Sequence, residues 1–226
     1  MKKSFWFWLC FVLAVVCAVY FASRVIMTSL GRGPATVIKS ISVYSNSSKH
    51  NLAAVVAAAG IAPGTRTYSV NLDDVNARIA AVPDVKTSAV RRLPNGNLAI
   101  KVKLHRAVAL WTDGQDFYPL SADGTVIRRP IGSRPENTVV FRGVLPGDIS
   151  EIAKTARGLA PHLDYLEWVE DRRWNIRTNG GITVMLPESG PIAAIGALDL
   201  MDRNHRILSK KITVLDMRDG ARILVR

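Results

Sequence analysis

The sequence predicts an α+β protein in three parts: one membrane-spanning helix, a small β-α-α-β-β domain, and a larger strand-rich domain with helices packed on its sheet. Three observations carry that prediction. An uncharged apolar run from Phe5 to Ala22 follows a Lys2-Lys3 start. Beyond it, segments with apolar residues at helical spacing alternate with period-two runs. The period-two runs are punctuated by Asn-Gly and Asp-Gly pairs, the strongest short-range signals for hairpins and turns.

The apolar run comes first. Eighteen helical residues rise about 27 Å, close to the hydrocarbon thickness of a bilayer. Phe5, Trp6, Trp8, Leu13, Val19 and Tyr20 are the expected anchor residues, with Trp6 and Trp8 at one interface and Tyr20 near the other. The positive-inside rule places Lys2 and Lys3 in the cytoplasm. This divides the start of the chain into a cytoplasmic tail at 1–4, a transmembrane helix at 5–26 and a linker at 27–36. A cleaved signal peptide is the alternative, but Val16-Cys17-Ala18 falls inside the apolar run rather than after it. Both cysteines, Cys10 and Cys17, lie in the run, so the rest of the chain has neither a disulfide framework nor a cysteine metal site.

After the linker, Val37 to Tyr44 reads as a strand. Ser47 or Ser48 is the expected cap of a helix whose stripe is Leu52, Val55, Val56 and Ala59, and Gly60 ends it. Asn71 caps a second helix, with Leu72, Val75, Ile79 and Val82 inward and Pro83 as its stop. A hairpin follows, with Asn95-Gly96 as a two-residue type I′ turn. On its second arm Leu98, Ile100, Val102 and Leu104 face the core, while Lys101 and Lys103 stay in water. The small domain therefore occupies 37–105.

The larger domain, 106–226, opens with short strands separated by Asp113-Gly114 and Asp123-Gly124 turns. Asp148 and Glu151 open a helix with a stripe of Ile149, Ile152, Ala156, Leu159, Ala160 and Leu163. Trp174, Ile176 and Thr178 form one arm of a hairpin that turns at Asn179-Gly180, and Ile182, Val184 and Leu186 form the other. Pro191 starts a helix with Ile192, Ile195, Leu198 and Met201 inward. Lys211 to Arg226 closes the chain as one or two strands.

Net charge is +12 with a pI near 10.2, which favours anionic partners. A basic hairpin held outside the cytoplasm is a poor nucleic-acid grip, so no nucleic-acid partner is expected. The four histidines, His50, His105, His162 and His205, are scattered, and no HExxH, P-loop or GxSxG pattern is present. Gly31-Arg32-Gly33 lacks the remaining glycines of a dinucleotide fingerprint. Asp73-Asp74 suits the dipole at a helix start, and Glu167, Glu170 and Asp171 read as a solvated cluster before a strand. Trp111, Trp168 and Trp174 read as core anchors. Asn46-Ser47-Ser48 matches a glycosylation acceptor by chance. The sequence therefore points to no catalytic residues, no cofactor and no metal.

Three stretches carry a family resemblance. "VRRLPNGNLAIKVKLHRAVALW" is similar to an R-x-x-P-x-x-L-x-I-x-V hairpin followed by Ala-x-x-Trp, although Leu93 stands where tryptophan is common. "DGTVI" resembles a D-x-x-G-x-V/I turn. "RRWNIRTNGGITVMLP" with "ITVLDMR" resembles an R-x-W…G-x-x-V-x-L-P…I-D-x-R ending. In this order they resemble the FtsQ/DivIB family of bacterial cell-division proteins.

The resemblance implies a POTRA domain at 37–105 and an FtsQ-type β-domain at 106–226, both in the periplasm. It implies a non-enzymatic scaffold of the inner membrane at the division septum. Such a scaffold links early and late division proteins and binds FtsB- and FtsL-like partners to support septal wall synthesis. FtsK-, FtsW- and FtsI-like members of the division machinery are further implied partners. Partner strands would add to an edge of the β-domain, at Ile223, Leu224 and Val225 or at Ile212, Val214 and Met217 in the 212–217 stretch. Arg172 and Arg218 would meet acidic partner residues. The alternative is an envelope transport or assembly factor that uses its POTRA-like unit on substrate strands.

Overall fold

The structure is a computed structural model that describes residues 2–29, 37–46, 52–219 and 222–226. Linker residues 30–36, the Ser47/Ser48 helix cap, most of the Asn46-Ser47-Ser48 acceptor and His50 lie outside the described residues. The chain divides into two compact units, Met1–Leu104 and His105–Arg226. It is α+β, with an N-terminal apolar helix, strand-rich sheets and packed helices.

Helix α1 runs Lys2–Ser29, and its stretch Trp6–Met27 is long and apolar enough to cross a membrane. Every side chain from Trp6 to Met27 is exposed. A helix that is apolar all round and uncovered by protein belongs in a non-aqueous surrounding.

The first unit continues with strand β1 (Ile41–Ser45), helices α2 (Ala53–Ala59) and α3 (Leu72–Ala80), and strands β2 (Val85–Arg92) and β3 (Leu98–Leu104). The sheet order is β1-β3-β2, with β1 parallel to β3 and β2 antiparallel to it. Val55, Ala59, Val75 and Ile79 of the helices meet Val85, Ile100, Val102 and Leu104 in one core. The first strand starts four residues later than the sequence suggests, with Val37 making only an isolated bridge to Arg66. Val56 faces solvent, because a seven-residue helix buries only the narrow stripe of Val55 and Ala59. Asn71 caps α3 by accepting from the Asp73 N–H, and Gly60 ends α2 at φ 60°. Arg78 on α3 then donates to the carbonyls of Ala58 and Ala59, satisfying the end of α2.

The β2–β3 turn is not type I′. Gly96 N–H bonds Leu93 C=O, Leu93 N–H bonds Asn97 C=O, and of the turn residues only Gly96 has positive φ (83°). Pro94 explains the difference: its ring fixes φ near −65° in the first central position, which excludes the left-handed pair a type I′ turn needs. A type I turn with a glycine bulge results. The same bonding recurs between Thr178, Gly181 and Ile182, with Gly181 at φ 83°. The turn with two consecutive left-handed residues lies elsewhere, at Glu170 and Asp171 (φ 54° and 52°).

The second unit has strands β4 (Ala107–Thr112), β5 (Phe117–Ser121), β6 (Val140–Arg142), β7 (Leu163–Val169), β8 (Arg173–Thr178), β9 (Thr183–Met185), β10 (Val214–Asp216) and β11 (Leu224–Val225), with helices α4 (Ser150–Thr155) and α5 (Pro191–His205). They form one eight-stranded sheet in the order β11-β10-β9-β8-β7-β6-β4-β5. The helices, with the 3-10 turn Ala156–Leu159 that follows α4, bury one face: Ile152, Ala156, Leu159, Ile195 and Leu198 pack with Leu120, Phe141, Leu166, Trp174, Ile176 and Val184. Trp174 contacts both Phe141 and Trp168 at ring-centroid distances of 5.5 and 5.0 Å. Asp148 accepts from the Ser150 N–H and hydroxyl, but it precedes the cap position of α4, which is Ile149 and makes no side-chain cap bond. Two strands are additions to the sequence reading. β6 is three residues long, and β7 contains Leu163, which the helical stripe had claimed, together with Glu167.

Candidate partner-binding edge

The end of the sheet is built from the last strands outward. β9 pairs in parallel with β10, which shifts Leu215 onto Val184 and Asp216 onto Met185. β11 then pairs antiparallel with β10, Leu215 opposite Val225 and Asp216 opposite Leu224. Arg226 exchanges both backbone bonds with Val214, its N–H donating at 3.0 Å and its C=O accepting at 3.3 Å. In an antiparallel ladder bonded and non-bonded pairs alternate. The N–H and C=O of Val225 therefore point away from β10, to the side where the sheet order ends. Ile223, Leu224 and Val225 are 43%, 63% and 50% exposed. An apolar, exposed edge strand is a template for another strand.

Charged groups frame this edge. The Glu170–Asp171 turn delivers Arg172, whose guanidinium lies 2.8 Å from Glu170 and 3.1 Å from Glu188. Arg173 is more enclosed and lies 3.5 Å from Glu170. Arg218, just past β10, bonds both carboxylate oxygens of Asp216 at 2.6–3.1 Å. Two shallow depressions of about 360 and 310 Å³ share Arg218: one is lined also by Arg172, Arg173 and Glu188, the other by Asp216, Arg222 and Leu224.

The ion pairs set the ionisation. Hydrogen bonds from Arg172, and then the charge of Arg173, hold the Glu170 carboxyl below its ordinary range. Bonding from Arg218 does the same for Asp216. The arginines rise in return, Arg172 through Glu170 and Arg218 through Asp216. Arg172, Arg173, Arg218 and Arg222 are matched by Glu170, Glu188, Asp216 and Asp219, so the cluster carries little net charge. Its arginines can orient a partner carboxylate at short range, by sharing rather than by long-range attraction.

The expected site residues fall into two groups. Ile223, Leu224 and Val225 are on the open edge, with Arg218 beside Leu224 and Arg172 beside Arg218. Of the two edges the sequence left open, the 212–217 stretch is interior: β10 has β9 on one side and β11 on the other. Ile212 and Val214 are half-buried, and Met217 is buried in the core with its N–H donating to Met185 C=O. On α1, Trp6, Trp8, Leu13, Val19 and Tyr20 are exposed, and Phe5 lies on the same helix. Sequence reasoning missed Glu170, Arg173, Asp216 and Glu188 as parts of this surface. Only the Arg-Arg-Trp and Asp-x-Arg spacings hint at them. Among the described residues no three His, Cys, Asp or Glu side chains cluster as metal ligands.

Residues 109–218 match the family described as "Cell division protein FtsQ/DivIB, C-terminal". The chain is 29% identical over 166 residues to the cell division protein FtsQ of Roseobacter litoralis, covering 71% of this chain and 56% of the relative. It is 28% identical over 176 residues to FtsQ of Caulobacter vibrioides (76% and 58%) and 26% over 171 residues to FtsQ of Rhizobium meliloti (70% and 53%). The chain thus spans little more than half the length of these curated relatives. Among solved structures, the major extracytoplasmic domain of the trans isomer of DivIB from Geobacillus stearothermophilus aligns with TM-score 0.35 at 17% identity, over 47% of this chain and 98% of that one.

Proposed function

We infer that the chain belongs to the FtsQ/DivIB family of cell-division proteins, which it matches over residues 109–218, and that it is a non-enzymatic scaffold of the division machinery that captures partner strands on β11. In this reading α1 anchors the chain in the inner membrane at the septum, with Lys2 and Lys3 in the cytoplasm. Residues 37–105 are a POTRA domain and 106–226 an FtsQ-type β-domain, both periplasmic. The partners are FtsB- and FtsL-like proteins, and the complex supports septal wall synthesis.

One observation supports the reading: β11 ends the sheet with exposed Leu224 and Val225, preceded by exposed Ile223, and with outward-pointing backbone groups at Val225. A strand laid there gains ladder hydrogen bonds and buries Ile223, Leu224 and Val225, while Arg172 and Arg218 fix its register through carboxylates. The test has two arms. Depletion should give filamentous cells, and a fluorescent fusion should sit at midcell; a uniform envelope signal with normal division rejects the scaffold. Affinity capture from solubilised membranes should co-purify FtsB- and FtsL-like proteins, and their absence rejects the partner assignment.

A further inference from the structure

The three-stranded sheet of the first unit has one face covered by α2 and α3, where Val85, Ile100, Val102 and Leu104 are buried. Strand alternation and register put Tyr44, Thr87, Ala89, Arg91, Lys101 and Lys103 on the opposite face. Among the described residues of this unit no helix lies over them: Tyr44 is 59% exposed, and the other five are exposed as well.

Charge is sorted between the two sides. The carboxylates of 37–104 are Asp73, Asp74 and Asp84, in the first turn of α3 and the loop that leads to β2. On the helix side two arginines are occupied: Arg78 bonds the carbonyls of Ala58 and Ala59, and Arg92 bonds those of Thr67 and Val70. On the open side, among the described residues, neither a hydrogen bond nor an ion pair engages the side chains of Arg91, Lys101 or Lys103. The lysines and Tyr44 border a shallow concavity of about 400 Å³ with Thr87 and Ala89. Cations aligned on a flat sheet, without carboxylates among them and with an exposed tyrosine at one margin, match an interface of phosphate headgroups.

The tether supplies the second argument. The apolar stretch of α1 ends at Met27, and β1 begins at Ile41. A fully extended connection of that length reaches at most about 50 Å. A domain so tethered meets the bilayer surface at high effective concentration, so even weak attraction populates contact. We propose that the open face of this sheet docks on an anionic phospholipid surface and holds the first domain against the membrane that α1 crosses. This rests on α1 spanning a membrane and is independent of the reading of β11.

Each cation beside an anionic bilayer strengthens association about fivefold. Lys101→Gln with Lys103→Gln should therefore shift the docked-to-undocked ratio about 30-fold. The test uses the full chain in vesicles with Cys10→Ser and Cys17→Ser, carrying one environment-sensitive label on Ala89→Cys. In vesicles containing phosphatidylglycerol the label should shift to the blue and be quenched by a headgroup-attached quencher. Raised salt or the double lysine variant should abolish both effects, and phosphatidylcholine vesicles should show neither. A label on Ala77→Cys, exposed on α3, should not respond in any vesicle. Equal emission in both lipids, an equal response at Ala77, or a response that survives loss of the lysines overturns the proposal. A response to soluble polyglutamate but not to phosphatidylglycerol also overturns it, in favour of an acidic protein partner. Should the lysine variant fold poorly, the salt and Ala77 arms decide the matter on the original lysines.

Discussion

Backbone parity on β11 separates two substitutions one residue apart. Arg226 is bonded to Val214 in both directions, so the next bonded pair is Leu224 with Asp216, and Val225 faces outward. Val225→Pro removes a donor that no β10 group uses, and proline is tolerated on an edge strand when its missing N–H faces away from the sheet. Its folding stability should stay within about 0.5 kcal/mol of the parent, as for other exposed positions. A partner strand, however, would find its carbonyl opposite a ring. Leaving that acceptor buried without a donor costs about 1–3 kcal/mol, which raises Kd roughly 5- to 150-fold. Leu224→Pro instead removes a bond to β10 and should loosen β11 itself. The assay is Kd for an FtsB-like partner by biolayer interferometry on the solubilised full chain, with urea unfolding in parallel. Val225→Pro binding as the parent does, with β11 intact, would refute strand addition on this edge.

Other substitutions test the remaining links. Leu224→Asp should weaken capture at least tenfold, since burial of an exposed leucine contributes about 1.5–3 kcal/mol when complete; co-purification yield and an unchanged circular dichroism spectrum check it. Gly124 has φ 77°, and a Cβ there would lie 2.8 Å from Pro146 O, whereas Gly181 at φ 83° has open space. Gly124→Ala should therefore cost more than the roughly 1–2 kcal/mol of left-handed strain expected for Gly181→Ala, as read from urea midpoints. Phe141→Ala empties a fully buried position against Trp174 and should lower stability by about 3–5 kcal/mol in the same assay. Asp216 is held below its ordinary value of 3.8 by Arg218. Its contribution is present above that value and lost as pH falls through the lower folded one. The stability gap between the parent and Asp216→Asn should narrow between pH 6 and pH 3.

Local signals read well where one residue type settles the backbone. Gly60 and Asn71 end and begin their helices as their chemistry requires. The stripe Ile149, Ile152, Ala156, Leu159 and Ala160 is buried throughout, because helical spacing and burial are the same information. The failures have local causes too. Pro94 overrode the Asn95-Gly96 signal, since a fixed φ is a stronger constraint than a preference. β7 was hidden by a bulge between Leu163 and Tyr165: the extra residue breaks the two-residue alternation and leaves Leu163 and Leu166 three apart, a helical spacing. β6, at three residues, is shorter than any periodic pattern.

The candidate edge was legible only in outline. The Arg-Arg-Trp and Asp-x-Arg spacings pointed to Arg172 and Arg218, but nothing in the order of residues said that their carboxylate partners would be Glu170, Glu188 and Asp216. Met217 and Leu224 look alike as apolar residues near the end of the chain, yet one is buried and the other 63% exposed.

By itself, then, the sequence determined the apolar helix, the α+β class and most element types, because hydrophobic period, caps and fixed torsions act over a few neighbours. Only the tertiary structure decided the strand order, and with it that β11 rather than β10 is open and that Lys101 and Lys103 share an uncovered face with Tyr44. The physical reason is that a strand's neighbours are chosen by pairing between distant segments: β10 could be an edge or an interior strand with the same residues, and the arrival of Leu224 and Val225 beside it makes it interior.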